Sequence, residues 1–216
     1  MVNQMSDLLY TVFTNITPAY EDEFNEWQVT EHVPFLMGLP GYESVIRYKD
    51  LDTPHRFTNF WHIREMSCFE NPERLVRAKT PWGNKLSPFR NRRIDFYVQD
   101  GGLQTEPSPS ETAAEFKLLI MHSYSDKDDK AFCLTENYRK CLEQIKSFPH
   151  VMDARIYHSY EGKGIEENCV FFYLDCSPEE AEKGLLEAID QKLDIRDSLV
   201  RRTRLLCLSK TIRQNE

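Results

Sequence analysis

The feature that most limits what this chain can become is that it is written twice. Leu39-Pro40 is echoed by Phe148-Pro149 at a shift of 109 (148 − 39), and the same shift carries Tyr48 onto Tyr157. Phe60-Trp61-His62-Ile63 corresponds to Phe171-Phe172-Tyr173-Leu174 at 111 (171 − 60), the difference falling in the intervening loop. Arg93-Ile94-Asp95-Phe96 is matched with Arg202-Thr203-Arg204-Leu205. Such repetition means one structural unit used twice. Between the copies, Asp100 to Ala114 (DGGLQTEPSPSETAA) has the Gly, Pro, Ser and Thr content of a linker. The expected organisation is a first unit over 1–99, a linker over 100–114 and a second unit over 115–216.

Pattern within each unit gives its order of elements. Leu8 to Asn15 is rich in apolar, aromatic and β-branched residues, as a strand is. Thr17-Pro18 offers a capping hydroxyl and a first-turn proline, opening a helix to about Phe35 that Pro34 should disturb. Strands follow over Gly41 to Lys49 and His55 to Arg64, helical segments over Met66 to Ala78 and part of Trp82 to Phe89, and a strand over Arg92 to Gln99. The second half repeats this with strands over Glu115 to Tyr124, Val151 to Ser159, Asn168 to Cys176 and Thr203 to Ser209. Its helices fall at Asp128 to Ser147 and Pro178 to Ile189. The fold class is α+β: two tandem ferredoxin-like β-α-β-β-α-β units. Each antiparallel sheet is covered by helices on one face, so the bare faces should dock into a dimeric-type α/β barrel. That makes an internal pseudo-dimer, with scope for a homodimer as well.

Composition removes several classes of function. A net charge of −8 over 216 residues argues against nucleic acid as a partner, because phosphate binding needs a concentrated basic surface. Arg90, Arg92 and Arg93, echoed by Arg201, Arg202 and Arg204, read as solvated strand ends. No apolar run approaches the roughly 20 residues that span a bilayer, and Met1 to Asp7 lacks a signal-peptide core, so no membrane partner is expected. Six cysteines without a CxxC pair suit a reducing, cytoplasmic setting. There is no phosphate loop, GxSxG elbow, or HxxxH or HExxH spacing, so neither a metal nor another cofactor is expected.

One stretch carries chemistry. Glu23-Phe24-Asn25-Glu26-Trp27, Glu31-His32-Val33-Pro34, Leu39-Pro40-Gly41-Tyr42 and Arg47-Tyr48 occur in that order. The series resembles the dimeric α/β-barrel superfamily, and within it the EthD-like and related small enzymes, over roughly residues 8 to 99. The resemblance implies a ligand cavity between the sheet and helices of a unit. It leaves the reaction open among cofactor-free monooxygenases, cyclases, isomerases, dehydratases, decarboxylases and haem-binding enzymes.

The residues themselves narrow this. On a helix, Gln28, Glu31 and His32 are interleaved with the aromatic face of Tyr20, Phe24, Trp27 and Phe35, at about 100° per residue. In the second copy Glu31 becomes Lys140 and His32 becomes Cys141, so the first half is the working half. His32 titrates near neutrality and is the candidate general acid or base. Arg47 and Tyr48 are candidates to hold developing negative charge. Asn59 and Trp61 share one face of their strand and His62 the other. With Gln28, Glu31 and Trp82 these three complete the substrate-binding set. The expected activity is a cofactor-independent lyase, isomerase or cyclase acting on a small carbonyl or aromatic carboxylic compound. The alternatives are a cofactor-free or haem-dependent monooxygenase, and a small-ligand-binding or stress-response protein without turnover.

Overall fold

The computed structural model describes residues 8–77, 80–99, 116–125, 144, 147–162, 168–188, 199–208 and 212–213. Its strands are β1 (Leu8–Ile16), β2 (Tyr42–Asp50), β3 (Arg56–Ile63), β4 (Arg90–Gln99), β5 (Leu118–Ser125), β6 (Val151–Ser159), β7 (Asn168–Leu174), β8 (Leu199–Cys207) and β9 (Ile212–Arg213). They hydrogen-bond in the order β3-β1-β4-β6-β7-β5-β8-β2-β9, and β2 also pairs with β3. That last pairing closes β1–β8 into an eight-stranded antiparallel barrel, while β9 continues the line of β8 along β2.

The sequence suggests two sheets docked by their bare faces; the sheets in fact also join by their edges. One seam pairs β4 with β6 (Tyr97↔Ser159, Val98↔His158, Gln99↔Tyr157). The other pairs β2 with β8 (Tyr48↔Cys207, Lys49↔Leu206, Asp50↔Leu205). An open sheet edge leaves a row of unpaired N–H and C=O groups, and closure satisfies them.

Rings fill the barrel. Phe13, Tyr48, Phe60, Tyr97, Phe116, Tyr157, Phe171 and Tyr173 form its interior with Leu9, Leu119 and Leu205. A second apolar layer lies outside the first-half strands and includes Tyr10, Val33, Leu36, Tyr42, Trp61 and Phe96. The inward positions also correct the internal alignment. Tyr97 and Leu205 both point inward, so the last strands correspond at 108 (205 − 97) and not at 109. A slip of one residue exchanges the faces of a strand.

Between β1 and β2 runs one helical stretch. It comprises a 3-10 turn (Pro18–Tyr20), α1 (Glu21–Trp27), a π-helical turn (Gln28–His32) and α2 (Val33–Met37). Thr17 does not cap it; its hydroxyl donates to the Phe89 carbonyl at 3.1 Å. The disturbance expected at Pro34 lies upstream. Proline has no N–H, and its ring crowds the carbonyl four residues back, here that of Thr30. Widening the preceding turn, with the Val33 N–H on the Gln28 carbonyl, keeps the helix continuous. Gly41 (φ +82°) turns the chain into β2 where any Cβ would strike Cys68 Sγ.

Between β3 and β4 lie α3 (Met66–Glu70), α4 (Pro72–Arg77) and α5 (Pro81–Leu86). The single segment expected over Met66 to Ala78 is split at Asn71, which is non-helical (ψ 123°) as the residue before Pro72. In the second half, α6 (Pro178–Glu182) starts with a capping box between Ser177 and Glu180. It stops before Gly184 (φ +110°), and a helical turn over 185–188 follows. The linker over 100–114 and nearly all of the helix expected over Asp128 to Ser147 lie outside the described residues. Among those residues no helix is long and apolar enough to cross a membrane.

Candidate functional site

The helical stretch lies across the outward face of β1, β2 and β3, and most of the candidate residues meet there. Arg47 and Asn59 are cross-strand partners, and both are buried. Asn59 Nδ2 donates to Gln28 Oε1 at 2.9 Å, joining β3 to the π turn. Arg47 Nη2 donates to Asn25 Oδ1 at 2.9 Å, and its Nε has no partner. Burial pulls the Arg47 guanidinium down to about 10, since a charge out of water is disfavoured.

His32 lies against two indoles. Its ring stacks on Trp27 at 4.4 Å between centroids and meets Trp61 edge-on at 6.4 Å. The imidazole pKa is lowered to about 3, first by burial and then by Arg90, Arg74, Arg92 and Arg47. At pH 7 the ring is therefore neutral, with one nitrogen donating and the other accepting.

Glu31 is held elsewhere. Its Oε1 accepts from Trp27 Nε1 at 2.9 Å and from the Thr80 hydroxyl. That hydroxyl also accepts from the Gly83 N–H at 3.0 Å as the N-cap of α5, so Glu31 ties the π turn to the next helix. Trp82 donates to Glu23 Oε1 at 3.0 Å and packs with Phe24, Trp27 and Leu86 at the end of this layer.

Among the described residues, the arginines whose charge reaches His32 lack acidic partners. Arg90, expected as a solvated strand end, lies 4.7 Å from the Trp27 ring. Arg74 lies 3.7 Å from the Phe69 ring and donates to the Phe69 carbonyl at 3.1 Å. Among the described residues no carboxylate pairs with Arg47, Arg74, Arg90 or Arg92. Arg92 is exposed and lines an open depression with Phe13, Asn15, Arg56 and Asn91, in keeping with a strand end that meets solvent, whereas Arg93 pairs with buried Asp95 at 3.0 Å and lies 4.2 Å from the Phe13 ring. A neutral imidazole in a cationic frame attracts anions and favours any step that develops negative charge. No group of three or more His, Cys, Asp and Glu among the described residues is placed to hold a metal.

Two candidates point the other way. Tyr48 lies inside the barrel, fully buried, its hydroxyl without a partner. Successive strand residues face opposite sides, so Tyr48 and Arg47 do not share a site. His62 also faces inward; burial, then Arg155, lowers its pKa to about 4. Sequence reasoning missed Arg74, Tyr10 and Tyr42 and assigned Arg90 to solvent. Arg74 carries no motif, and only the packing of α4 brings it to Tyr10.

The sequence matches no protein-family model and no curated protein. Solved structures share its shape across nearly the whole chain. A chlorite dismutase from Candidatus Nitrospira defluvii aligns with TM-score 0.62 at 18% identity, covering 94% of this chain and 92% of that one. A protein described as a monooxygenase from Lactobacillus acidophilus NCFM gives 0.57 at 9%, covering 97% and 98%. A heme-binding protein from Thermus thermophilus gives 0.57 at 12%, covering 95% and 92%. The shared architecture is the dimeric α/β-barrel fold, a closed antiparallel barrel flanked by helices. At these identities the likeness concerns fold alone.

Proposed function

We propose that the protein is a small-molecule enzyme in which neutral His32 removes a proton from an acidic carbonyl or phenolic compound and nearby guanidinium groups hold the resulting anion. The observation that carries this reading is the setting of His32, a neutral imidazole stacked on Trp27 in the field of Arg90, Arg74, Arg92 and Arg47, none of which has a carboxylate partner among the described residues. Burial, and then the cations, keep the resting base weak. A bound anion offsets their field, so the imidazole gains basicity when substrate is present. Arg47 and Arg90 stabilise the oxyanion, and Gln28 with Asn59 fixes the floor beneath it.

The anion has two outcomes. Reprotonation elsewhere makes the enzyme an isomerase, lyase or cyclase. Reaction with dioxygen oxidises an activated methylene to a carbonyl and releases water, a balance that needs no other reductant. The oxygenase route is favoured, supported by the monooxygenase description among similar folds. The halves are read as tandem ferredoxin-like units, EthD-like in the first. Support comes from the strand orders β4-β1-β3-β2 and β8-β5-β7-β6 and from the motif around His32.

Oxygen uptake tests this with 1,3-dicarbonyl compounds and polycyclic phenols. His32→Ala is expected to fold and to lose turnover by about 100-fold or more, the usual scale for a general base. Full activity in that variant would remove His32 from the reaction.

A haem reading rests on the same neutral imidazole, the form that ligates iron, and on guanidinium groups suited to carboxylates. The residues fit that group poorly, because fully buried Trp27 and Trp61 flank the imidazole on a face and an edge. Titration with haemin decides between them: a Soret band lost in His32→Ala would displace the cofactor-free reading.

A further inference from the structure

Arg74, like Arg92, contributes to the field at His32 and has no part in holding the oxyanion. It is buried on α4 at 9% exposure, with no carboxylate partner among the described residues. Its five N–H donors meet one backbone carbonyl, that of Phe69, and one long contact of 3.4 Å to the Tyr10 hydroxyl. A buried charge satisfied so sparsely is costly unless an anion completes it. Beside it, the buried Tyr42 hydroxyl faces the Arg74 guanidinium without a hydrogen bond of normal geometry. Burial raises both phenols above their ordinary pKa, so each keeps its proton to donate.

These groups connect to His32 through one indole. Trp61 meets Tyr10 at 6.5 Å, Tyr42 at 5.7 Å and His32 at 6.4 Å between ring centroids. We propose that Arg74, Tyr10 and Tyr42 form a carboxylate subsite, so that the substrate is an aryl or enol acid with its carboxylate at Arg74 and its reacting end at His32. This rests on the reading of the His32 side of the sheet as a substrate site. A single planar guanidinium flanked by neutral phenols and the Phe69 and Phe96 rings suits a planar monoanion, because two parallel N–H groups match two carboxylate oxygens. A phosphate would call for more positive charge.

Calorimetric titration of the full chain with phenylacetate and with its neutral isostere phenylacetamide tests the subsite. The acid is expected to bind about tenfold tighter than the amide, with Arg74→Gln abolishing that preference. Tyr42→Phe deletes one hydroxyl and keeps the packing, so it should fold, and it should weaken the acid by about threefold and the amide by less. If Arg74→Gln does not fold, Tyr42→Phe decides alone. No preference for the acid in the parent chain, or a preference intact in the folded variants, overturns the proposal. His32→Gln separates the two claims, since it should keep phenylacetate affinity whatever happens to turnover. Lost turnover with intact acid binding leaves both standing. Full turnover with intact acid binding removes only the proton-transfer reading.

Discussion

At the scale of single residues, two histidines bind the stability of the protein to pH. His32 and His62 have pKa values lowered to about 3 and about 4, in both cases chiefly by burial. Between those values and the ordinary imidazole value, the unfolded chain takes up protons that the folded chain excludes. Their stabilising contribution is therefore complete above about pH 6.5 and is lost as pH falls, by up to about 1.4 kcal/mol per unit for each. His62, inside the barrel and 7% exposed, gives the cleaner test. His62→Gln keeps a neutral polar side chain, so between pH 7.5 and pH 5 it should lose about 2 kcal/mol less stability than the parent in urea unfolding. Equal losses would mean that His62 is protonated in the folded state. Strand alternation put His62 on the face opposite Asn59 and Trp61 in the sequence, and the same rule, not applied there to β2, separates Arg47 from Tyr48. Arg74 was not legible, because its role comes from meeting Tyr10, which lies 64 residues away along the chain.

At the scale of elements, the π turn decides what His32 faces. A regular α-helix places residues five apart on different faces, yet Trp27 and His32 stack at 4.4 Å. The widened turn over Gln28–His32 brings the two rings together. The sequence located the cause, Pro34, but not the remedy, because a proline inside a helix can be absorbed by a kink, a stop or a wider turn. Pro34→Ala restores an N–H and removes the crowding at Thr30. The turn should then relax to regular α-helix, with a melting temperature equal to or above the parent's and the His32 ring rotated away from Trp27. Proton NMR reads this directly, as loss of the upfield ring-current shift of the His32 carbon-bound protons. An unchanged shift would mean that packing against Trp61 and Asn59, not proline, holds the turn open.

At the scale of the whole molecule, the duplication and the barrel are one argument. With the last strands aligned at 108, the two seams coincide: Gln99 meets Tyr157 as Cys207 meets Tyr48. Each half therefore carries both edges that its partner needs. The repeat is a reading of the sequence, whereas the edge-to-edge closure was not legible there, because hydrogen-bond partners leave no compositional trace. The interior also explains why a half should not stay single. Phe13, Tyr48, Phe60 and Tyr97 from the first half pack against Phe116, Tyr157, Phe171 and Tyr173 from the second, and a lone half would expose its share to water. A fragment of residues 1–99 should then pair its β4 with β2 of a second copy and form a homodimer by light scattering. Adding residues 115–216 in equal amount should replace that homodimer with a one-to-one complex, since only the unlike pair reproduces the native interior. A fragment that is folded and monomeric would show that each sheet is stable without its partner, and the seams would then be a consequence of tethering and not the reason the chain is doubled.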